Sequence, residues 1–466
     1  MNFCLDIKRI LFYIISMFQM ARKVAEAVKT RGGRALIVGG AIRDALMVID
    51  PKDIDIEVYG IEADALQVIL SQFGEVNLVG AAFGIFKVAG LDVSIPRRDS
   101  KIGDGHRGFT VQGDPSMSVV DAARRRDFTI NSVARDILTG EIIDPFGGVQ
   151  DIKNCILRVT DAATFGDDPL RVFRAAQFIA RFYLTADAQC IDICKSMSNR
   201  LSELAAERVF DEIQKLLLKG VRPSVGIDFL FQVDALWHWM PEVLALDGVQ
   251  QDPIWHSEGP VFTHVNMVCD QASILARDFD GPKDVLMWSA LCHDLGKPST
   301  TKFMDGRWKA HGHEEAGEAP TRSLLERLKA PKTLVEAVVS LVKRHLAPAH
   351  FSIDAGDRAY RRLASELAIA GTNIRMLEQV ARADHFGRIT PDAIARQFPA
   401  GDAFLARAKS LGAANGKISD VVMGRHLIDR GIKPGKEMGQ ILRKCREIQD
   451  DTGLTDPDAI IARMAP

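Results

Sequence analysis

The residues best suited to chemistry in this chain are two aspartates one residue apart. The stretch "LIVGGAIRDALMVIDPKDIDIEVYG", residues 36–60, carries Asp53 and Asp55 in an apolar run that alternates as a half-buried strand does. On a strand, residues i and i+2 face the same way, so the two carboxylates are expected side by side. Carboxylates that close ionise reluctantly unless a cation sits between them. Hard oxygen ligands suit Mg²⁺, which keeps sites for phosphate and water. Such ions activate an attacking hydroxyl and neutralise a triphosphate leaving group. Asp92, in "LDVSIP", is the expected third carboxylate, on a neighbouring strand. Gly39 and Gly40 sit at a helix start, where backbone N–H groups bind phosphate, and Arg43, one turn on, is placed to reach the same phosphates. Alone, an Asp-x-Asp is best read as chance on an exposed strand. The diglycine, Arg43-Asp44 and the strand–helix–strand context favour chemistry.

Two further stretches carry matched polar groups. "ARRRDFTIN", residues 123–131, sets Arg124 to Arg126 and Asp127 against an apolar segment that ends in Asn131. A charge run is usually a solvated face, but one abutting a buried segment suggests a pocket wall for triphosphate and ribose, with Asn131 on a sugar hydroxyl. "FGDDPLRVFRAAQFIARF", residues 165–182, places Asp168 and Arg171 at i and i+3 of a helix, with Arg174 on the next turn. The bland reading is a surface ion pair of little worth. The sharper one is that Arg donors and Asp acceptors together match the Watson–Crick edge of a nucleobase.

A fourth set lies further on. His264 in "FTHVN", His293 and Asp294 in "CHDLGKP" and Asp384 in "ARADHFGR" form a mixed nitrogen and oxygen ligand set. It suits Mn²⁺, Fe²⁺, Ni²⁺ or Mg²⁺. His311, His313 and His345 are candidates for a second ion or a phosphate, and Lys297 follows the His-Asp pair. A single histidine in a helical body is most often a packed residue, and His350 and His385 are read that way.

These groups need a scaffold, and 466 residues are too many for one core. Short apolar runs split by a helix fill residues 34–100, a Gly-rich polar loop is expected over 101–118, and from about 120 onward the chain reads as almost entirely helical. The expected fold is therefore α+β, a small α/β head before an all-α neck and body. The expected divisions are an N-terminal extension over 1–20, a head over 21–150, a base-reading neck over 151–225, a helical body over 226–395 and a helical tail over 396–466. Seven scattered cysteines without a CxxC pair read as reduced, cytoplasmic thiols. Net charge is −2, which excludes a polycation but not a local basic patch. The apolar run from Ile10 to Phe18 is too short to span a bilayer. Met20 looks like a natural start, so the first 19 residues read as an extension or a mis-called start, and no membrane contact is expected.

Taken in order, these stretches resemble the class II tRNA nucleotidyltransferase and poly(A) polymerase family, and most closely its bacterial CCA-adding enzymes. "GGAIRD…DIDIEVYG" resembles that family's nucleotidyltransferase motif, which implies a polymerase-beta-like head with Asp53 and Asp55 as Mg²⁺ ligands and Gly40 and Arg43 at the nucleotide. "RRDFTIN" resembles its ribose and triphosphate motif, with Arg126 and Asn131 carried over. "DPFGG", 144–148, resembles the element joining head to neck, and "ERVFDEIQKLL" the neck motif. "DDPLRVFRAAQF" resembles the base-reading motif, with Asp168 and Arg171 selecting C and then A and Arg174 in support. The chain departs from the family at Ala81 and Ala82, where a basic residue is common. The histidine set resembles the HD phosphohydrolase domain, which implies phosphatase, 2′,3′-cyclic phosphodiesterase and 2′-nucleotidase activities. The implied partners are tRNA, CTP and ATP, with no DNA. The tail over 424–449 is given no chemistry, only the tRNA elbow or a second subunit of a homodimer as contacts. A-adding or poly(A)-polymerising activity, and a degenerate RNA-binding head with only the HD site active, are the alternatives.

Overall fold

The computed structural model describes residues 18–464 except 50, 52, 80–83, 102–108 and 352–355. The apolar N-terminal run up to residue 17 and the Ala81-Ala82 departure lie outside the described residues. The chain divides into two compact units, 1–205 with 232–235, and 206–231 with 236–466.

In the first unit, a helix over 18–30 buries Ala21, Val24, Ala25 and Val28, spaced as one face of a helix requires. That face packs with the apolar residues of a seven-stranded sheet. Its strands are β1 (Arg34–Val38), β2 (Asp55–Tyr59), β3 (Asn77–Val79), β4 (Ile85–Val88), β5 (Leu91–Ser94), with β8 (Ala134–Asp136) and β9 (Ile142–Ile143) added later. Their order is β3-β4-β5-β2-β1-β8-β9. All neighbours run antiparallel except β2 and β5, which are parallel. The expected hairpin of "FGIFKVAG" and "LDVSIPR" is β4 with β5.

Two expectations are corrected here. Part of the loop expected over 101–118 is strand, because β6 (Arg97–Lys101) and β7 (Phe109–Gly113) pair antiparallel from Arg97↔Gly113 to Lys101↔Phe109. The chain beyond 120 is also not purely helical. "NSVARDI" supplies β8, which pairs with β1 from Leu36↔Asp136 to Val38↔Ala134. Three residues of alternating burial are too short for periodicity to separate from a helix turn.

The helix Arg171–Phe182 belongs to the same unit and buries Val172, Phe173, Ala175, Ala176, Phe178 and Ile179. Asp144 of "DPFGG" accepts from the backbone N–H groups of Gly148 (2.7 Å) and Val149 (2.9 Å), holding the start of the helix Gly148–Lys153.

The second unit is helical apart from a two-stranded hairpin over 302–309. Its centre is made by the helices Val261–Leu275, Lys283–Cys292, Lys332–Arg344 and Ile374–Phe386, which pack on one another. Lys283–Cys292 is buried along its whole length from Val285 onward, so its apolar residues need no stripe. The tail holds the helices Gly424–Ile428 and Lys436–Thr452 around a small core of Val422, Leu427, Met438, Cys445 and Ile460. Among the described residues no helix is long and apolar enough to cross a membrane, and the six cysteines are free.

Candidate active sites in the head and the helical body

Strand β1 ends at Val38, whose partner on β2 is Asp55. The chain then turns at Gly39 with φ 71° and ψ −136°, into the helix Gly40–Leu46. Asp53 therefore has no partner on β1. It precedes β2 rather than lying within it, and the same-face strand argument for Asp53 and Asp55 is corrected to that extent. Asp55 instead opposes Asp92 in the parallel register of β2 and β5. Lys87 of β4 lies opposite Asp92 and donates to both its carboxylate oxygens at 2.9 Å.

Although Asp55 reaches solvent, crowding by the protein raises its pKa, the nearby Arg126 guanidinium opposes the rise, and the Asp92 and Asp53 carboxylates add to it. Three carboxylates thus share one field at the head of the sheet. A group charged against that resistance is the electrostatic signature of a cation site.

A Cβ on Gly39 would stand 3.0 Å from Arg126 Nη1 and 3.5 Å from Asp55 Oδ2. Only glycine accepts both that backbone and that approach. Gly39→Ala is expected to destabilise the head by about 1–3 kcal/mol, read from urea unfolding.

Arg43, expected at the phosphates, points inward instead. Its Nε and Nη2 donate to Asp44 Oδ1 at 2.8 and 2.6 Å, and Nη1 donates to Asn131 Oδ1 at 2.7 Å. The guanidinium lies over the rings of Phe178 and Phe182. Burial lowers its pKa, with Asp44 opposing. Asn131 Nδ2 donates to Asp127 Oδ1 at 2.8 Å, and Arg174 Nε and Nη2 donate to Asp127 Oδ2 at 2.8 and 2.6 Å. Arg181 Nη2 reaches Asp44 Oδ2 at 3.4 Å. One polar chain thus joins the helix after the glycine turn, the "RRDFTIN" segment and the helix Arg171–Phe182. Arg126 is the arginine of "RRRD" that faces Gly39 and Asp55.

Burial pushes the Asp127 carboxyl up, but Arg174, Asn131 and the Phe128 N–H outweigh it and hold its pKa below the ordinary range. The unfolded value is about 3.9. The carboxylate therefore stabilises the fold above that pH, and the contribution is lost as pH falls through the lowered pKa. Asp127→Asn is expected to cost about 2 kcal/mol at pH 7. That is below the figure for a fully buried pair, because the Arg174 side chain is 35% exposed. The cost should shrink as pH falls through that lowered pKa, measured by urea unfolding at pH 7 and across an acid series.

The base-reading pair is also placed differently. The helix begins at Arg171, and Asp168 lies in the turn before it, where its Oδ1 accepts from the Leu170 N–H at 3.1 Å. The shared helix face is therefore corrected to a turn and a first helical residue. Arg171 Nη1 and Nη2 donate to the carbonyls of Thr164 (2.9 Å) and Arg125 (3.0 Å).

The four central helices of the body each bring a group to one point. His264 lies in Val261–Leu275, His293 and Asp294 follow Lys283–Cys292, His345 follows Lys332–Arg344, and Asp384 lies in Ile374–Phe386. His313 opens a short helix. That helix can approach only because residue 296 is glycine, where a Cβ would meet the His313 carbonyl at 2.0 Å.

The imidazoles share one orientation. Nδ1 of His293, His313 and His345 contacts the backbone carbonyl three residues earlier, at 2.8, 2.8 and 2.7 Å. An N–H at Nδ1 leaves Nε2 as a lone-pair donor facing inward, the arrangement metal ligands need. His293 Nε2 is 3.3 Å from Asp294 Oδ2, and His313 Nε2 is 3.3 Å from Asp294 Oδ1. His313 Nε2 and His345 Nε2 stand 3.2 Å apart. Two lone pairs at that distance repel unless a cation or proton lies between them. His293 Nε2 is buried without a hydrogen-bond partner, while Asp294 Oδ2 has Lys297 Nζ 2.7 Å away. The donor set fits a divalent ion, with two adjoining ligand groups sharing Asp294, namely His264-His293-Asp294 and Asp294-His313-His345. Burial and the neighbouring imidazoles push His345 down to about 3. Asp294 is held well below the carboxylate range by His293 and Lys297 against the cost of burial.

Of the expected set, His264, His293 and Asp294 meet. Asp384 Oδ1 lies 3.0 Å from His264 Nε2 and its carboxylate is paired with Arg388. Of the further histidines, His313 and His345 enter the cluster and His311 is exposed. His385 stacks on Phe398. Sequence reasoning missed Glu258 and His256. Glu258 Oε1 lies 2.8 Å from His264 Nδ1 and 2.9 Å from His256 Nδ1. The signal was "HSEGPVFTH", a His-x-Glu just ahead of a ligand histidine.

Comparison with known proteins finds family matches over both regions. Residues 35–158 match the Poly A polymerase head domain, 185–246 the probable RNA and SrmB-binding site of polymerase A, and 261–370 the HD domain. The chain is 36% identical over 425 residues to the multifunctional CCA protein of Xanthomonas euvesicatoria pv. vesicatoria (strain 85-10), covering 88% of this chain and 96% of that protein. Its fold is shared with the Bacillus stearothermophilus CCA-adding enzyme in complex with CTP, at a TM-score of 0.65 and 21% identity over 96% of each chain. It is shared also with the Thermotoga maritima CCA-adding enzyme complexed with tRNA, at 0.59 and 18% over 97% of each. The chain is thus a nucleotidyltransferase carrying an HD domain. It belongs to the multifunctional CCA protein family, as the motif order implied.

Proposed function

We propose that the head adds C, C and A to the 3′ end of tRNA from CTP and ATP without a nucleic-acid template. The observation that carries this reading is the register of Asp55 against Asp92, with Asp53 just upstream and Arg126 facing them. The names of the relatives support the substrate. Asp53, Asp55 and Asp92 would hold Mg²⁺, which when bound neutralises the triphosphate and polarises the ribose 3′-hydroxyl. The 3′-hydroxyl gives up its proton to solvent, its oxygen bonds to the α-phosphorus, the bond from that phosphorus to the α–β bridging oxygen breaks, and pyrophosphate leaves. Arg126 meets the triphosphate. Gly39 and Gly40 let the nucleotide approach the backbone. Arg43, Asp127, Asn131 and Arg174 act by holding the walls in register. Asp168 and Arg171 choose the base. To do so the Arg171 guanidinium trades a carbonyl of Thr164 or Arg125 for the base edge. Nucleotide incorporation into tRNA ending at its discriminator base tests the reading, with CTP alone, ATP alone and both. C-C followed by one A supports it. A alone, or a long A tract, moves the activity to A addition or polyadenylation.

The HD centre is proposed to hydrolyse phosphate esters at RNA ends, both phosphomonoesters and 2′,3′-cyclic phosphodiesters. His264, His293, Asp294 and Asp384, with His313 and His345, would hold a divalent ion such as Ni²⁺, Mn²⁺ or Mg²⁺. When bound, the ion supplies a nucleophilic hydroxide and a charge opposite the phosphoryl oxygens. Lys297, 2.7 Å from Asp294, keeps an ammonium at the rim of the cluster.

A further inference from the structure

Beside the HD centre lies a cavity of about 520 Å³ that the proposed chemistry does not yet use. One wall is the loop 250–259 and the other is the antiparallel hairpin of β10 (Lys302–Met304) and β11 (Arg307–Lys309). Arg307 Nε, 2.7 Å from Asp252 Oδ2, fastens the hairpin to the loop. The hairpin turns two aromatic rings toward the cavity. Phe303 and Trp308 meet edge to face at 5.2 Å, and Phe303 remains 61% exposed. Across from them Ile254 is 65% exposed. Apolar surface left in water beside polar groups is the composition of a ligand site, and the volume lies in the range of small-molecule pockets.

The cavity is wired to the metal cluster at two points. His256 lines it, holds Glu258, and stacks edge-on against His264 with ring centroids 4.7 Å apart. Gln251 also lines it and accepts from Lys297 Nζ at 2.6 Å, the lysine that pairs with Asp294. A ligand seated here is within one imidazole's width of the cluster.

Resting on the hydrolytic reading of the HD centre, we propose that this cavity is its base site. It takes the nucleobase of a nucleoside phosphate between the Trp308–Phe303 pair and Ile254, while the phosphate reaches the histidine cluster. Every base has a π face, so such a platform favours nucleosides over other phosphate esters without demanding one sequence. The Gln250 and Gln251 amides and the Asp252 and Arg307 pair are the polar edges that could then rank one base over another.

The test uses the full-length protein and Trp308→Ala, with adenosine 2′-monophosphate as the nucleoside probe and glycerol 2-phosphate as its baseless counterpart. Binding of the nucleotide is followed by equilibrium dialysis, and hydrolysis of both esters with the metal-loaded protein. Stacking on one ring predicts roughly 10-fold weaker nucleotide binding in Trp308→Ala. KM for the nucleotide should rise by a similar factor at unchanged kcat. Glycerol 2-phosphate hydrolysis and CTP binding should not change, and the latter shows that the variant is folded. Phe303→Leu should give a smaller shift of the same kind. Wild-type binding by Trp308→Ala, or an equal loss on both esters, overturns the base site and leaves the hydrolytic reading standing. Trp308-dependent binding without hydrolysis supports the base site and overturns the hydrolytic reading instead.

Discussion

Asp55→Ala should lower nucleotide incorporation by about 10³-fold while leaving the head folded. The proposed metal site stabilises the charge of the transferring phosphoryl by several kcal/mol, and about 4 kcal/mol corresponds to that factor. The second half of the expectation follows from electrostatics. A carboxyl whose pKa is raised on folding weakens the fold at any pH where it is charged. Asp55 is raised by its surroundings and by Asp92 and Asp53. Asp55→Asn, which keeps the shape and removes the charge, should therefore unfold at the same urea concentration as the parent or a higher one, yet incorporate no better than Asp55→Ala. A variant that loses activity and unfolds more readily would assign Asp55 a structural role instead. Lys87 makes the same point from the other side, because an ammonium already sits on Asp92 where a cation is wanted.

Asp294→Asn should abolish phosphate-ester hydrolysis and metal retention together, with CCA addition intact. Asp294 is shared by two of the three ligand groups, His264-His293-Asp294 and Asp294-His313-His345, and the third, His256-Glu258-His264, lies further out toward the loop 250–259. The loss of Asp294 leaves both of its groups incomplete, so metal retained after dialysis, measured by elemental analysis, should fall sharply. The variant should also lose stability. Lys297 is 7% exposed, and without Asp294 its ammonium keeps only Gln251 among the contacts described. Leaving one member of a buried pair costs about 3–5 kcal/mol. The loss should appear in urea unfolding of the metal-free protein. A variant that hydrolyses normally and keeps its metal would dissolve the cluster as a functional site.

Much of the head was legible because its chemistry is local. A glycine turn, a strand and an aspartate at its start lie within 20 or so residues, and strand geometry does the rest. What was not legible is where side chains go when the chain returns. Arg43 and Asn131 are 88 residues apart, and no spacing rule says that they will hydrogen-bond. Read separately, each looked like a nucleotide ligand; together they form a buried partnership. Asp53 was placed on the strand because the alternation continues through it, whereas β1 leaves at Gly39 and gives it nothing to pair with. In the body, His293 and Asp294 were legible as neighbours. His313 and His345 reach the cluster from separate helices, and such convergence leaves no periodic trace, whereas Glu258 sits only six residues before His264, in a local His-x-Glu that periodicity does not reveal.

The way the imidazoles are held has a consequence for heredity. His293, His313 and His345 are oriented by backbone carbonyls of Ala290, Ala310 and Val342, and a carbonyl is present whatever side chain stands there. No single codon change beyond the histidines themselves can remove those supports. His264 alone leans on a side chain, Glu258, which in turn leans on His256. Among the histidines, drift in the support of the proposed metal site therefore runs through that short relay, while His293, His313 and His345 are insulated from it.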